Sequence, residues 1–142
     1  MRTAIYSLLS GDGTLTGTLT GGVYSAGTVG EISRQTTPDA FDANEEVEPC
    51  GLLRFETDAP WGVHDASARL YFAVLLYERV GSSAIDTARA RIYALLHRQV
   101  VAPDGDGGCW EIRHAGDTLD QEDPALGCGL AVCRYVATIN KA

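Results

Sequence analysis

Lysine is nearly missing from this sequence: Lys141 stands beside ten arginines, and the formal net charge is −8. Nucleic-acid binding through the phosphate backbone needs clustered cations, so an acidic chain with scattered arginines argues against it. Arginine suits planar contacts at interfaces better than general solubilisation. No apolar run approaches the ~20 residues of a membrane helix, so no membrane partner is expected. The opening MRTAIYSLLSGDG has neither the apolar stretch nor the small-residue cleavage site of a signal peptide, which predicts folding in a cytoplasm. No two of Cys50, Cys109, Cys128 and Cys133 form a C-x-x-C pair, and free buried thiols are expected. What is present is ordinary for a globular protein: 142 residues, 45% apolar and 21% charged, enough for one domain with a core of its own.

Residues 2–9 predict a short helix with Ala4, Ile5, Leu8 and Leu9 on one side. Gly11-Asp12-Gly13 breaks it, and a second helical turn carries Leu15 and Leu19. Val23-Tyr24 leads into a strand or extended segment near Val29–Ser33. Residues 34–49 hold five acids and two prolines and are expected to form an extended polar arm, a length uncommon in compact domains unless a partner orders it. Leu52–Thr57 predicts a strand, with Leu53 and Phe55 alternating against Arg54 and Glu56. Asp58–Ser67, containing Pro60, Trp61 and Gly62, predicts a loop.

Ala68–Val80 is the strongest strand and is apolar on both faces: Leu70, Phe72, Val74 and Leu76 against Tyr71, Ala73, Leu75 and Tyr77. Such a strand lies central in a sheet or against another subunit. Ser83 and Asp86 fit a capping pattern that opens the strongest helix, running to about Val100 with Ile85, Ala88, Ile92, Leu95, Leu96 and Gln99 on one face. Pro103 and the turn Asp104–Gly108 close it. Cys109–His114, with Trp110 and Ile112 on one face, and Cys128–Ile139 predict two further strands. Residues 115–127 between them predict an acidic loop. The expected fold class is α+β: a mostly antiparallel sheet with one long helix packed on it, short N-terminal helices and an extended polar arm, all in a single domain spanning 1–142.

Several local patterns imitate catalytic motifs and fail. Asp12-Gly13-Thr14-Leu15 matches part of a phosphatase signature, but Ser10 stands where the nucleophilic aspartate belongs. Asp104–Gly108 begins like a calcium loop, yet Cys109 and Ala115 occupy the positions that need glycine and a carboxylate. No G-K-[ST] follows the early glycines to make a phosphate loop, and no G-x-S-x-G elbow occurs. The four cysteines with His64, His97 and His114 are enough ligands for structural zinc, but Cys128 and Cys133, with four residues between them, fall on opposite faces of a regular strand, and core or surface thiols are expected. Asp117, Asp120, Glu122 and Asp123 read as a solvated acidic stretch rather than a cation site. No catalytic residue, cofactor or metal is expected.

A strand apolar on both faces together with two long polar segments suits a subunit that completes its burial in an oligomer. Three contact regions are expected: the arm around Arg34, Thr37, Pro38 and Phe41; the acidic loop with Asp117, Asp120 and Asp123; and Trp61. For each there is a local alternative. Phe41 would fold back on its own core, the loop would be a plain surface loop, and Trp61 would lid the nearby core.

Taken in order, the pieces resemble the tail terminator (tail completion) family of siphophages. They are Ile5–Leu9 followed by Asp12-Gly13-Thr14-Leu15, Gly21-Gly22-Val23-Tyr24, Thr37-Pro38, Val47-Glu48-Pro49-Cys50 leading into a strand, the strand 68–80, the helix 83–100, and Cys133-Arg134-Tyr135-Val136. The resemblance implies a structural virion protein assembled in the host cytoplasm: a ring homo-oligomer, typically a hexamer, at the end of the tail tube. Its partners would be copies of itself, the tail tube protein and the head-tail connector or stopper, with DNA only passing through the lumen. An acidic lumen would repel phosphate. The alternatives are a neck or head-completion (stopper) protein and a non-viral protein-binding adaptor module.

Overall fold

The computed structural model describes residues 2–62, 67–101 and 109–140. The expected turn at Asp104–Gly108, together with His64 and Lys141, lies outside them, as do the side chains of Cys109 and Trp110. Among the described residues, four helices and five strands follow in the order α1 (Arg2–Ser10), α2 (Gly13–Thr18), β1 (Val23–Ser25), α3 (Ala26–Val29), β2 (Cys50–Pro60), β3 (Ser67–Glu78), α4 (Ser83–Leu96), β4 (Cys109–Asp123) and β5 (Cys128–Asn140), with a 3-10 turn at Pro38–Ala40. The strands form one mixed sheet in the order β1-β2-β3-β5-β4. Three pairings are antiparallel; the short β1 joins β2 in parallel over three residues. The fold is α+β.

The N-terminal helices form where the apolar spacing predicts them. Ile5 and Leu9 of α1 are buried, and Asp12 opens α2 by accepting the Leu15 N–H at 2.9 Å. Helix α4 buries Ile85, Ala88, Ile92 and Leu96, and together these helices cover one face of the sheet against Leu70, Phe72, Val74 and Leu76 of β3 and Cys133 and Tyr135 of β5. Each fully buried large aliphatic contributes roughly 1.5–3 kcal/mol of transfer free energy. Side chains pack closely over the backbone where β2 begins: a Cβ added to Gly51 would sit 3.2 Å from the Leu19 side chain.

α4 ends at Leu96, short of Val100, and its cap differs from the expected one. Ser82 is the N-cap residue and makes no side-chain cap bond. The carboxylate of Glu78, buried at the end of β3, accepts the N–H groups of Ala84 and Ile85 instead, at 3.3 and 3.0 Å. An anion at the positive end of a helix, bonded to otherwise orphaned N–H groups, does the work of a cap from another element.

From Ala73 onward the opposite face of β3 is buried within the chain, whereas Tyr71 on the same face is exposed. Ala73, Leu75 and Tyr77 pack with Leu52, Cys50, Cys128 and Val132 beneath Ile32, Ala40 and Val47. The segment 34–49, expected as an extended arm, is therefore a folded cover. Phe41 bridges to Val47, the Glu48 N–H reaches the Ala40 carbonyl at 2.8 Å, and one Asp42 carboxylate oxygen accepts the N–H groups of Asn44 and Glu46. Such side-chain-to-backbone turns carry no hydrophobic period, so composition alone reads them as open loop.

Two other expectations are corrected. The extended segment near Val29–Ser33 is replaced by β1 at Val23–Ser25 and the turn of helix α3. Residues 115–123 of the expected acidic loop continue β4, leaving only a short turn before Cys128, and 58–60 of the expected loop continue β2. β4 is an edge strand interrupted by irregularities at 109/111, 114/116 and 118/121. An edge strand facing water needs no apolar alternation, and its acids made it look like a loop.

Candidate assembly surface

Both edges of the sheet are partly covered and partly open. On the β2 side, β1 pairs only with Gly51, Leu52 and Leu53, so no described strand lies beside Arg54–Thr57. On the β4 side, the segment after α4 docks on the strand: the Arg98 N–H donates to the Ile112 carbonyl at 2.7 Å, and the Ile112 N–H to the Gln99 carbonyl at 3.1 Å. The His114 N–H donates to His97 Nδ1 at 3.0 Å. Beyond His114 no described strand covers the outer side of β4. Open strand edges present unpaired N–H and C=O groups and are templates for another chain.

A side-chain network fixes β4 against α4. Asp117 accepts Arg89 Nε at 3.0 Å and bonds His114 Nε2 at 2.7 Å, while Arg89 also reaches Asp86 at 3.0 Å. Burial pushes the Asp117 carboxyl up, but the bonds from His114 and Arg89 outweigh it and hold the carboxyl below its ordinary range. Tyr93 stacks on His97 at 4.5 Å and meets the His114 ring edge-on at 5.5 Å. A histidine bonded to a carboxylate would need a nucleophile beside it to do covalent chemistry. Cys133, level with Asp117 in the sheet, has its thiol pushed up to about 12, first by burial, which is the wrong direction for a nucleophile. The network reads as a brace between helix and edge strand. Among the described residues, no group of three or more His, Cys, Asp and Glu is arranged to hold a metal ion, and no helix is long and apolar enough to cross a membrane.

The residues singled out from sequence divide into internal and outward-facing sets. Thr37 is 1% exposed, and its hydroxyl donates to the Ser33 carbonyl at 3.0 Å and accepts the Ser33 N–H at 3.1 Å. Asp117 is committed to the brace. Arg34 spans the folded segment, donating to the Glu45 carbonyl at 2.9 and 2.7 Å with its guanidinium 5.0 Å from the half-buried Phe41 ring. Pro38 and Asp120 are exposed. Asp123 accepts the N–H groups of Ala125 and Leu126 and so shapes the hairpin turn. Trp61 is 42% exposed with the Arg69 guanidinium 4.6 Å over its ring.

Sequence reading missed the groove beside the open half of β2. Arg2, Tyr6, Gly27, Thr28, Arg54 and Phe55 line a cavity of about 650 Å³ there, with two cations and no carboxylate on its walls. The signal available was the exposed charge at Arg54, on the polar side of an alternating strand; what hid the groove was that α1 and α3 supply its other wall.

No protein-family model matches the chain. No curated protein matches it. Among solved structures, the chain is similar to a chain from the virion of a native gene transfer agent (GTA) particle, at 13% sequence identity and a TM-score of 0.69, covering 99% of this chain and 94% of the other. The two chains share a fold over nearly their whole lengths.

Proposed function

We propose that this chain is a structural virion protein of a phage-type particle, a tail terminator whose copies close into a ring on the last ring of the tail tube and meet the head-side connector. The observation that carries the reading is the whole-length likeness to a virion chain, 99% of one on 94% of the other. The order of segments that resembles the tail terminator family supports the same role. So do two open strand edges on opposite sides of one sheet, because an edge that meets the opposite edge of the next copy generates a repeating, closable assembly.

In this reading the subunit has no catalytic role. Its partners are further copies of itself, six in the typical ring, together with the tail tube protein and the connector, and DNA only passes through the lumen. It works in the virion and is assembled in the host cytoplasm. A net charge of −8 suits a conduit that must not hold phosphate.

The test is native mass spectrometry and negative-stain microscopy of the purified protein, alone and with the tail tube protein of the same particle. A discrete ring that caps tube ends is expected. A protein that stays monomeric at high concentration and never binds the tube overturns the reading.

A further inference from the structure

The geometry points to a head-to-tail contact between copies in which the acidic end of the β4–β5 hairpin of one, at Asp120 and Glu122, enters the groove that Arg2 and Arg54 flank along the open edge of β2 in the next. The inference rests on the ring reading and names the surfaces that would close the ring.

Four observations carry it. The first is topological. β4 and the open half of β2 lie at opposite edges of the sheet, so their contact joins unlike surfaces and each copy retains one free edge of each kind. That is the heterologous arrangement that closes into rings.

The second is direction. Successive antiparallel pairings from β2 through β3 and β5 make β4 run opposite to β2. Copies side by side in the same orientation therefore set β4 of one antiparallel to β2 of the next, the more stable way to add a strand.

The third is position. The open part of β4 lies toward its C-terminal end, and the open part of β2 lies toward its own C-terminal end, at the other end of the sheet. Thr118 is level with Leu52 through Val132 and Leu75, whereas the open edge of β2 reaches Thr57. Bringing the two open stretches together staggers neighbouring copies by about five residues, roughly 16 Å at ~3.3 Å per residue. A sheet that closes on itself requires a stagger and a tilt of this kind.

The fourth is charge. Asp120 and Glu122 are exposed on the hairpin. Across the contact, Arg54 is half-exposed with its ion-pair partner Glu56 at 3.8 Å, and the Arg2 guanidinium rests 5.8 Å from the Phe55 ring. Both guanidinium groups keep capacity for planar bonds to carboxylates.

The experiment reverses each side of the contact. Asp120→Arg with Glu122→Arg makes the hairpin basic; Arg2→Glu with Arg54→Glu makes the groove acidic. All four side chains are on the surface, and unchanged thermal melting verifies that both double variants are folded. Sedimentation then reads association. Each double variant alone is expected to associate at least tenfold more weakly than the parent chain. An equimolar mixture is expected to reassemble, since basic hairpins meet acidic grooves and the parent pairing survives in alternation. A parent ring that persists unchanged in both double variants overturns this contact while leaving the ring reading intact. A parent chain that is monomeric even with the tube protein overturns the ring reading, and this inference with it.

Discussion

Arg91 clasps Asp12 across 79 positions of sequence: Nη2 lies 2.7 Å from Oδ1 and Nε lies 2.9 Å from Oδ2. Through this pair the cap of α2 is tied to the middle of α4, so the N-terminal helices are anchored to the main helix by more than apolar packing. The sequence Asp12-Gly13-Thr14-Leu15, which imitates a phosphatase signature, is here a helix start whose carboxylate accepts three bonds, one from the Leu15 N–H and two from Arg91.

A pH dependence follows from that geometry. The Arg91 guanidinium, and next the Leu15 N–H, hold the Asp12 carboxyl down from 3.8 to about 2. A carboxyl lowered by folding stabilises the folded chain fully above its unfolded pKa and progressively less as pH falls through the folded one. Thermal melting of the parent chain is therefore expected to weaken between pH 4 and about 2. The Asp12→Asn variant is expected to melt lower at pH 7 and to show a shallower acid slope, to which Asp117, lowered too, still contributes. Parallel acid slopes for parent and variant would show that Asp12 is not coupled to folding through Arg91.

Glu78 offers a test of a cap supplied from another element. Glu78→Ala leaves the N–H groups of Ala84 and Ile85 without their acceptor and removes a charge from a buried site. The expected loss is about 1–3 kcal/mol, the scale of a lost cap combined with orphaned buried donors. Glu78→Gln keeps one acceptor oxygen, for either Ala84 or Ile85, and loses the charge and the second acceptor, so a loss short of that of Glu78→Ala is expected. Urea denaturation at neutral pH measures both. Equal stability of Glu78→Ala and the parent chain would mean that water replaces the carboxylate without cost.

Much of the fold was legible wherever one face of an element repeats an apolar residue at a fixed period. Ile5 and Leu9, Leu70 with the run Phe72–Tyr77, and the face Ile85–Ala88–Ile92–Leu96 all occupy the places their spacing predicts, while Tyr71 is exposed. Illegible parts were those held by hydrogen bonds between side chains and backbone, such as Thr37 on Ser33 and Asp42 on Glu46, and those facing water, such as the second half of β4. The cap of α4 was hidden because its acceptor, Glu78, precedes the helix by a whole turn of chain. For the candidate surface, the sequence pointed to exposed acids at Asp120 and to Trp61, but the groove at Arg2 and Arg54 needs two distant segments brought together, which no local pattern encodes.

The segment 34–49 gives the sharpest reversal between composition and structure. As an extended arm, its removal would weaken assembly and spare the subunit. As a cover over Leu52, Leu75 and Tyr77, its removal strips one face of the sheet. Deleting residues 36–46 takes away Thr37 and Ala40, both buried, and cuts the Phe41–Val47 bridge that seats Val47. Exposing several large apolar side chains at roughly 1.5–3 kcal/mol each is comparable to the whole stability of a domain. The deletion is therefore expected to give an unfolded or aggregating chain, seen as loss of a cooperative melt. Thr37→Val, which removes only the two Ser33 bonds, is expected to fold with about 1–2 kcal/mol less stability, measured by urea denaturation. A deleted chain that melts cooperatively near the parent temperature would return 34–49 to the role of an arm, since a true cover cannot be removed without opening the second core.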